Sequence, residues 1–360
     1  MIRVGVVGFG MATRVFHAPL ISSVDGLELA AVVERHTNEA AARYPGITTY
    51  RSLDDMLADR SLGLIVVATP SGTHFEVARQ VITAGKNLVV DKPMAMHSSE
   101  IVELMALAAE QHVMLVPFHN RRWDGDFLTV RKLVADKAVG RLVAFESRMD
   151  RWNPGATRKP WKNDMAQGGG VLHDLGTHVA DLALVLFGRP EAVGAEVDRE
   201  RDGEGANDSF TIRLRYPGLR VTLGANQLSW PAGPRFHLRG TGGTFLKFGV
   251  DPQEADLNKV TRIESPDWGK EPQSAWGTLH VPADGTMSSR PIETVPGDYR
   301  QFYIGVRDAV LGRGEFPVRP VDAWRAARIL EWAQESSTAR CDIRCDWSDE
   351  PATAAQNTER

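Results

Sequence analysis

Short runs of consecutive apolar residues recur through the first third of the chain, and stretches with helical spacing separate them. The runs predict five strands, at Ile2–Val7, Leu27–Val33, residues 64–68, Asn87–Val90 and residues 113–117. The stretches between them predict helices that follow residue 10, cover residues 38–43, begin near His74 and cover residues 99–111. Strands that are apolar on both faces and alternate with helices form a parallel sheet covered on both sides. The pattern therefore predicts a doubly wound α/β domain over residues 1–120.

From about residue 121 the apolar positions alternate with polar ones. This alternation covers residues 143–149, 209–215, 220–227 and 235–238. A period of two is typical of an antiparallel sheet with one face against a core. A helical segment over residues 172–187 interrupts the strands, and an amphipathic helix is predicted over residues 321–336. We expect an α+β domain with a mostly antiparallel sheet over residues 121–345, and a flexible polar tail over residues 346–360.

Charge and composition exclude several classes of partner. Lys plus Arg total 42 against 46 for Asp plus Glu, a formal net charge of −4. Without a basic excess, neither nucleic acid nor an anionic membrane is an expected partner. The short basic run at Asn120, Arg121 and Arg122 is expected on the solvated surface or against a small anion.

Cysteine content and hydropathy indicate a soluble protein of the cytoplasm. Cys341 and Cys345 are too few for a disulfide framework, and no accompanying His or Cys cluster suggests zinc. No apolar run approaches the length of a membrane span, and the apolar start is too short for a secretory signal.

Polar residues follow each predicted strand of the first domain, namely Gly8, Glu34, Thr69, Lys92 and His119. Ligands of such sheets bind beyond the carboxyl ends of the strands. We therefore expect these residues to converge on one cleft.

The turn after the first strand predicts a dinucleotide site. Gly8 and Gly10 flank Phe9, and Met11 and Ala12 open the following helix, although Thr13 stands where the motif has a third small residue. In this motif glycines admit the pyrophosphate to the helix N-terminus.

The end of the second strand bears on the choice of dinucleotide. Glu34, 24 residues after Gly10, is placed to bind the adenosine ribose hydroxyls and would repel a 2′-phosphate, which favours NAD. Arg35 beside it could stack on adenine or bind that phosphate, which leaves NADP open. Further candidate cofactor contacts follow the next two strands, at Thr69, Pro70, His74, Asp91 and Lys92.

Lys92 and a pair on a later helix are the candidates for chemistry. Lys92 could donate to the oxygen at a reacting carbon, or it could be a surface lysine at a loop start. Asp174 and His178 are four residues apart and share one helix face, where the carboxylate would favour a protonated imidazole. Alternatives are an ordinary pair on the helix surface or part of a metal site, but no third ligand is evident, so no metal is expected. Glycines 168–170 just before this pair indicate a close approach of the backbone to another group.

Together these stretches resemble the glucose–fructose oxidoreductase / inositol dehydrogenase (Gfo/Idh/MocA) family, in the branch that contains scyllo-inositol dehydrogenases. The resemblance is carried by GFGMATRVFHAPL (residues 8–20), VVATPSGTH (66–74), DKP (91–93), HNRRWDGDF (119–127), GGGVLHDLGTH (168–178) and TGGTFLKFGVDPQEA (241–255). The chain departs from the family at Asp91, Ser71 and His173, where Glu, Asn and an aromatic residue are usual.

The resemblance implies a Rossmann domain that binds NAD or NADP and a substrate domain whose large sheet often mediates homo-oligomers, here a dimer or tetramer. It implies that Lys92 is the catalytic lysine, Asp174 a substrate-binding aspartate and His178 the acid/base. Trp161 could wall the substrate pocket, because sugars stack on indole.

The predicted function is hydride transfer between a nicotinamide dinucleotide and a hydroxyl carbon of a cyclic polyol or sugar. A dinucleotide-sensing regulator without activity is one alternative. A reductase of a different carbonyl or imine substrate is another, because the same plan of two domains supports it.

Overall fold

The first sheet contains the five strands that the apolar runs predict and a sixth, Thr48–Tyr50, that they do not. The computed structural model describes residues 1–155, 163–164, 167–259 and 263–352 of the chain. Six strands form one parallel sheet: β1 (Ile2–Val7), β2 (Leu27–Val33), β3 (Thr48–Tyr50), β4 (Leu64–Val67), β5 (Asn87–Val90) and β6 (Leu115–Pro117). Their order is β3-β2-β1-β4-β5-β6, so the direction of winding reverses between β1 and β4. This is the doubly wound order in which ligands bind at the reversal, and the prediction is confirmed.

The crossover segments of this sheet are short helices. They are α1 (Ala18–Ser22), α2 (Glu39–Arg43), α3 (Leu53–Ala58), α4 (His74–Thr83) and α5 (Ser98–Glu110). A π-helical turn, Thr13–His17, precedes α1 directly. Such wide turns are rare and occur often at functional sites.

Over the described residues the second sheet has nine strands and is mixed. They are β7 (Leu142–Arg148), β8 (Ala192–Asp198), β9 (Ser209–Tyr216), β10 (Leu219–Asn226), β11 (Phe236–Gly240), β12 (Gly243–Lys247), β13 (Gly277–Ala283), β14 (Thr286–Ile292) and β15 (Ile343–Arg344). Their order is β14-β13-β12-β11-β7-β10-β9-β8-β15. Only β7 and β10 pair in parallel among these strands, so the predicted, mostly antiparallel sheet is confirmed.

The helices of the second half follow the first sheet along the chain, and α6 alone among them lies between the last strand of the first sheet and the first strand of the second. They are α6 (Gly125–Ala135), α7 (Thr177–Phe187), α8 (Gln253–Asn258), α9 (Arg300–Val310) and α10 (Pro320–Ala339). On one face of the first sheet, Phe302 and Tyr303 of α9 lie in one core with Val4 and Val6 of β1. On the opposite face, Trp324 of α10 lies in a second core. Segments far along the chain thus complete the first domain, which a division at residue 120 does not anticipate.

The residues just after β15 pack onto α10. The Trp347 ring lies 4.8 Å from Trp332 and 6.1 Å from Trp324, and its indole N–H donates to the Pro190 carbonyl at 3.0 Å. Glu350 pairs with Arg189 at 3.1 Å. The structure therefore anchors the start of the segment that the sequence predicts to be a flexible tail. Residues 353–360 lie outside the described part of the chain. Within that part, no helix is both long enough and apolar enough to cross a membrane.

Candidate active site

The turn after β1 is built around Gly8. Its φ of +94° lies in the left-handed region, and a Cβ there would come within 3.2 Å of the Ala68 carbonyl oxygen. The buried Thr13 hydroxyl donates to the Gly8 carbonyl at 2.7 Å, so the residue that departs from the motif holds the turn. A Cβ on Gly10 would meet no atom within 4 Å. This open side, next to exposed Met11, fits the pyrophosphate of a dinucleotide.

The other predicted contacts of this region are found around the same turn. Phe9 packs edge-on against Tyr44 with ring centroids 6.4 Å apart, and Ala12 is partly buried against the core below. Thr69 and Pro70 follow β4, and Pro70 is exposed. His74 links this segment to the next one, because its ring nitrogens lie 2.8 Å from the Thr69 carbonyl and 2.7 Å from the Pro93 carbonyl.

Glu34 has a different set of partners from the one that the sequence predicts. The residue is 5% exposed, and its carboxylate accepts hydrogen bonds from the Thr37 hydroxyl at 2.5 Å and from the backbone N–H groups of Glu39 and Ala40 at 3.1 and 3.0 Å. These bonds cap the N-terminus of α2. The carboxylate is thus occupied by the protein itself.

The loop after Glu34 leaves the side chains of Arg35 and His36 in solvent. Arg35 and His36 are exposed, and neither makes a hydrogen bond or ion pair with any residue that the structure describes. Arg51 fixes this loop by donating to the Glu34 carbonyl at 2.7 Å and to Asn38 Oδ1 at 2.6 Å.

Lys92 meets Asp174 across the cleft between the two sheets. Lys92 Nζ donates to Asp174 Oδ1 and to the Asp174 carbonyl oxygen, both at 2.8 Å. The two side chains are 18% and 29% exposed, so the pair is partly screened from water. Asp91 Oδ1 accepts the backbone N–H of Lys92 at 2.7 Å. The fold therefore brings together two candidates that are 82 residues apart.

The segment that carries Asp174 is not the continuous α-helix that its spacing predicts. Residues Leu172–Gly176 form a π-helical turn, and α7 begins at Thr177. The turn is anchored at its start, where Asn207 Oδ1 accepts the Leu172 N–H at 2.9 Å and a Cβ on Gly170 would come within 2.8 Å of the Asn207 amide. The close approach predicted for the glycine run is thus an approach to Asn207 at Gly170 and to Met96 and Ser71 at Gly168.

His178 is buried and neutral. It is 5% exposed, and its Nδ1 has no hydrogen-bond partner among the described residues. Burial lowers the pKa of His178 well below its usual value, and the positive charges of Lys92 and Arg121 and nearby His119 lower it further, against the raising effect of Asp174. The prediction of a protonated imidazole is therefore wrong, because desolvation and the neighbouring cations outweigh the one carboxylate. A neutral imidazole can accept a proton.

Arg121 and Arg122 are structural parts of the site, and not the solvated surface that the sequence suggests. Arg122 forms a bidentate pair with buried Asp181 at 2.8 and 2.6 Å. Arg121 donates to Glu254 at 2.8 Å and lies 3.3 Å from Asp124. Their position directly after β6, at the edge where ligands bind, was the available signal.

His119 lies beside these pairs. It is 1% exposed, its Nδ1 is 3.8 Å from Asp181 Oδ2, and burial lowers its pKa.

A cavity of about 530 Å³ borders the segments that carry Lys92, Asp174 and His178. It is lined by Pro93, His173 and Thr177, which adjoin the catalytic candidates along the chain, and by His119 and Leu330 of α10. Lys92, Asp174 and His178 do not line it. Trp161 lies outside the described residues. Among the residues that the structure does describe, no three or more His, Cys, Asp or Glu side chains are grouped to hold a metal ion.

Models of known protein families match both predicted domains of the chain. The model of the oxidoreductase family with an NAD-binding Rossmann fold matches residues 2–119, and the GFO/IDH/MocA C-terminal domain matches residues 127–246. The chain is 36% identical over 342 residues to the uncharacterized oxidoreductase YdgJ of Escherichia coli, covering 95% of this chain and 98% of YdgJ. It is 32% identical to the scyllo-inositol 2-dehydrogenase (NADP(+)) IolW of Bacillus subtilis, covering 95% of each chain.

Solved structures share the whole fold. The oxidoreductase yvaA of Bacillus subtilis matches with a TM-score of 0.92 at 32% identity, over 96% of this chain and 98% of that one. The oxidoreductase YPO2259 of Yersinia pestis matches with a TM-score of 0.90 at 37% identity, over 96% and 97% of the two chains.

Proposed function

The chain belongs to the Gfo/Idh/MocA family of oxidoreductases, and from this premise we propose that it transfers hydride between NADP(H) and a hydroxyl carbon of a cyclic polyol or sugar. One observation carries the proposal. The Lys92 ammonium is held 2.8 Å from Asp174, and the charges of both residues act on the pKa of the buried, neutral His178. A cationic donor and a neutral base in one cleft suit the oxidation of an alcohol or the reduction of a ketone.

Each of the three residues has a distinct task. When bound, the nicotinamide ring supplies the hydride acceptor or donor. In alcohol oxidation, His178 takes the hydroxyl proton as the carbon–hydrogen bond breaks. Two of the three Lys92 N–H donors are used by Asp174, so one remains to donate to the substrate oxygen and stabilise the charge that develops on it. Asp174 orients the ammonium and accepts from a neighbouring hydroxyl of the substrate.

The substrate class rests on chemistry and on one relative. A carboxylate and an ammonium side by side can bind adjacent hydroxyl groups, which is what a polyol presents. IolW, at 32% identity over 95% of the chain, is named a scyllo-inositol dehydrogenase. The homo-oligomer and the cytoplasmic location stay predictions.

Steady-state assays with a panel of cyclic ketones, keto-sugars and the matching alcohols test the proposal. We expect oxidation of NADPH with at least one inosose or keto-sugar, with one alcohol formed for each NADPH consumed. Dinucleotide binding seen by fluorescence, with no turnover of any panel member, would instead favour the sensing regulator. Turnover confined to imines or to unrelated carbonyl compounds would favour the other reductase.

The preference for NADP reverses the one that the sequence suggests. The argument for NAD depended on Glu34 facing the adenosine ribose, but its carboxylate is buried against the N-terminus of α2. Arg35 and His36 beside it stay exposed and without partners in the described structure. Guanidinium binds a phosphate by two hydrogen bonds, so this loop suits a 2′-phosphate. The name of IolW also specifies NADP(+).

Replacing Arg35 tests this preference through binding alone. We expect wild-type protein to bind 2′,5′-ADP at least about tenfold more tightly than 5′-ADP by calorimetry, a difference of roughly 1.4 kcal/mol. Arg35→Gln should remove most of that difference and leave binding of NAD+ nearly unchanged. Arg60→Gln, an exposed arginine just before the amino end of β4, is the matched control and should keep the difference. Equal affinity of the wild type for the two ADP isomers would contradict the proposal.

A further inference from the structure

His17 is fully buried between two polar groups. Its Nδ1 lies 2.6 Å from the hydroxyl oxygen of Tyr303, which is itself fully buried, and its Nε2 lies 3.7 Å from Oδ2 of Asp91. His17 ends the π-helical turn after the dinucleotide loop, Tyr303 lies on α9, and Asp91 follows β5. The first contact is a hydrogen bond. The second is longer than a hydrogen bond, and Nε2 is a buried nitrogen with no hydrogen-bond partner among the described residues that faces the Asp91 carboxylate. The three elements meet directly beside Lys92.

The proton of Tyr303 sets the direction of the hydrogen bond between Tyr303 and His17. Burial raises the pKa of Tyr303 well above its usual value, and the nearby Asp91 charge raises it further, so the phenol keeps its proton. When that phenol donates to Nδ1 of His17, the ring presents a hydrogen on Nε2. Nε2 is the nitrogen that faces Asp91.

Asp91 in turn connects His17 to Lys92. One carboxylate oxygen accepts the Lys92 N–H at 2.7 Å, and the other is the atom that faces His17. Burial raises the pKa of Asp91, but His17, Lys92 and His74 lower it by more, so the carboxylate is ionised. Rotation of a carboxylate about its last side-chain bond is weakly restricted, so a partner on the second oxygen is needed to fix it.

We propose that His17, supported by Tyr303, is a positioning residue that holds the Asp91 carboxylate and thereby the backbone and side chain of Lys92. The inference rests on the proposed function, because it assumes that Lys92 donates to the substrate. The same π-helical turn begins at Thr13, whose hydroxyl holds Gly8. One short segment therefore supports both the dinucleotide loop and the catalytic lysine.

Two substitutions of His17 separate positioning from packing. His17→Leu keeps an apolar side chain in place but removes the ring nitrogens, and we expect kcat to fall about 10- to 100-fold, as for a displaced catalytic group. KM for substrate and Kd for NADP+ should change less than about threefold, because His17 contacts neither. His17→Gln restores a donor close to the position of Nε2 and should recover at least about a third of the lost kcat.

Two tyrosines of the same region provide a matched pair. Tyr303→Phe removes the hydroxyl that supports His17, whereas Tyr299→Phe removes an equally buried hydroxyl that lies 2.6 Å from Asp124. We expect similar falls in melting temperature for both. Only Tyr303→Phe should lower kcat, by about three- to tenfold.

The outcomes distinguish this inference from the function beneath it. Wild-type kcat in both His17→Leu and Tyr303→Phe would overturn it, and so would equal losses of kcat in the two tyrosine variants. Lack of recovery in His17→Gln would do the same. If His17→Leu does not fold, the tyrosine pair decides. The proposed function fails instead if turnover survives replacement of Lys92 itself, or if the wild type turns over no polyol, sugar or ketone of the panel.

Discussion

Replacement of Lys92 by methionine is expected to lower kcat about 10²- to 10³-fold with any accepted polyol or ketone. Methionine has a similar length but lacks the ammonium that would donate to the reacting oxygen, and loss of one such donor has an effect of this size. Asp174 would also lose the partner 2.8 Å away that orients it. Steady-state kinetics with saturating NADPH measure this loss.

The same variant changes the pH dependence in a defined direction. Burial is the largest cause of the low pKa of His178, and Lys92 is the next. Wild-type alcohol oxidation should therefore keep its rate as the pH falls through about 6.5, the usual pKa of histidine, because the imidazole stays neutral. In Lys92→Met one of the lowering charges is gone while Asp174 remains, so the loss of rate at acid pH should begin at a higher pH. Arg121 and His119, which also face His178, are unchanged.

Two controls test whether the loss of kcat is specific to the lysine in the cleft. Lys132→Met removes an exposed lysine, paired with Asp136 on the surface, and should leave kcat within about twofold of the wild type. Both variants should still bind NADP+, and Lys132→Met should do so with wild-type affinity. Turnover of Lys92→Met close to that of the wild type would refute the assignment of Lys92.

Replacement of His178 by alanine is the second large effect that we expect, with kcat reduced about 10²- to 10⁴-fold. In the proposed mechanism the imidazole is the neutral base of the cleft, and alanine cannot accept the hydroxyl proton in its place. Its side chain is buried and its Nδ1 has no partner in the described structure, so its removal breaks no hydrogen bond of that nitrogen. Added imidazole can occupy the space left by the ring and should restore part of the rate.

Two controls accompany the His178 variant: its affinity for NADP+, and a substitution of a histidine on another element. His178→Ala should bind NADP+ as the wild type does. His237→Ala changes a histidine of β11 whose neighbours Phe236 and Leu238 face the core, and it should keep wild-type kcat. Full activity of His178→Ala without added imidazole would show that another group takes the proton.

The strands of the first sheet follow closely from the sequence. Ile2–Val7 and Leu27–Val33 were predicted with the bounds that the structure has, because runs apolar on both faces are buried only inside a covered parallel sheet. The alternating pattern of residues 209–215 likewise predicted β9 to within one residue.

The helical segments show where local pattern is insufficient. Leu172, Leu175 and Val179 have the spacing of an α-helix, yet the first turn is a π-helix held at its start by Asn207. Asn207 lies 35 residues away from Leu172. No window of the sequence around residue 172 contains that contact.

Glu34 shows that a motif can identify a residue but not its partners. Its spacing from Gly10 matches that of a ribose-binding acid, but three hydrogen bonds turn its carboxylate toward α2. The direction of a side chain depends on which donors the following loop presents, and the spacing of the motif does not encode this.

The sequence alone predicted the two-domain plan and the dinucleotide turn from hydrophobic period and glycine spacing, and it named Lys92, Asp174 and His178 as candidates through their positions and a family resemblance. Only the tertiary structure decided that Lys92 meets Asp174, that His178 is neutral, and that His17 lies beside Asp91. The physical reason is that ion pairing and desolvation depend on distances between residues far apart along the chain, which exist only after the two sheets and the C-terminal helices have packed together.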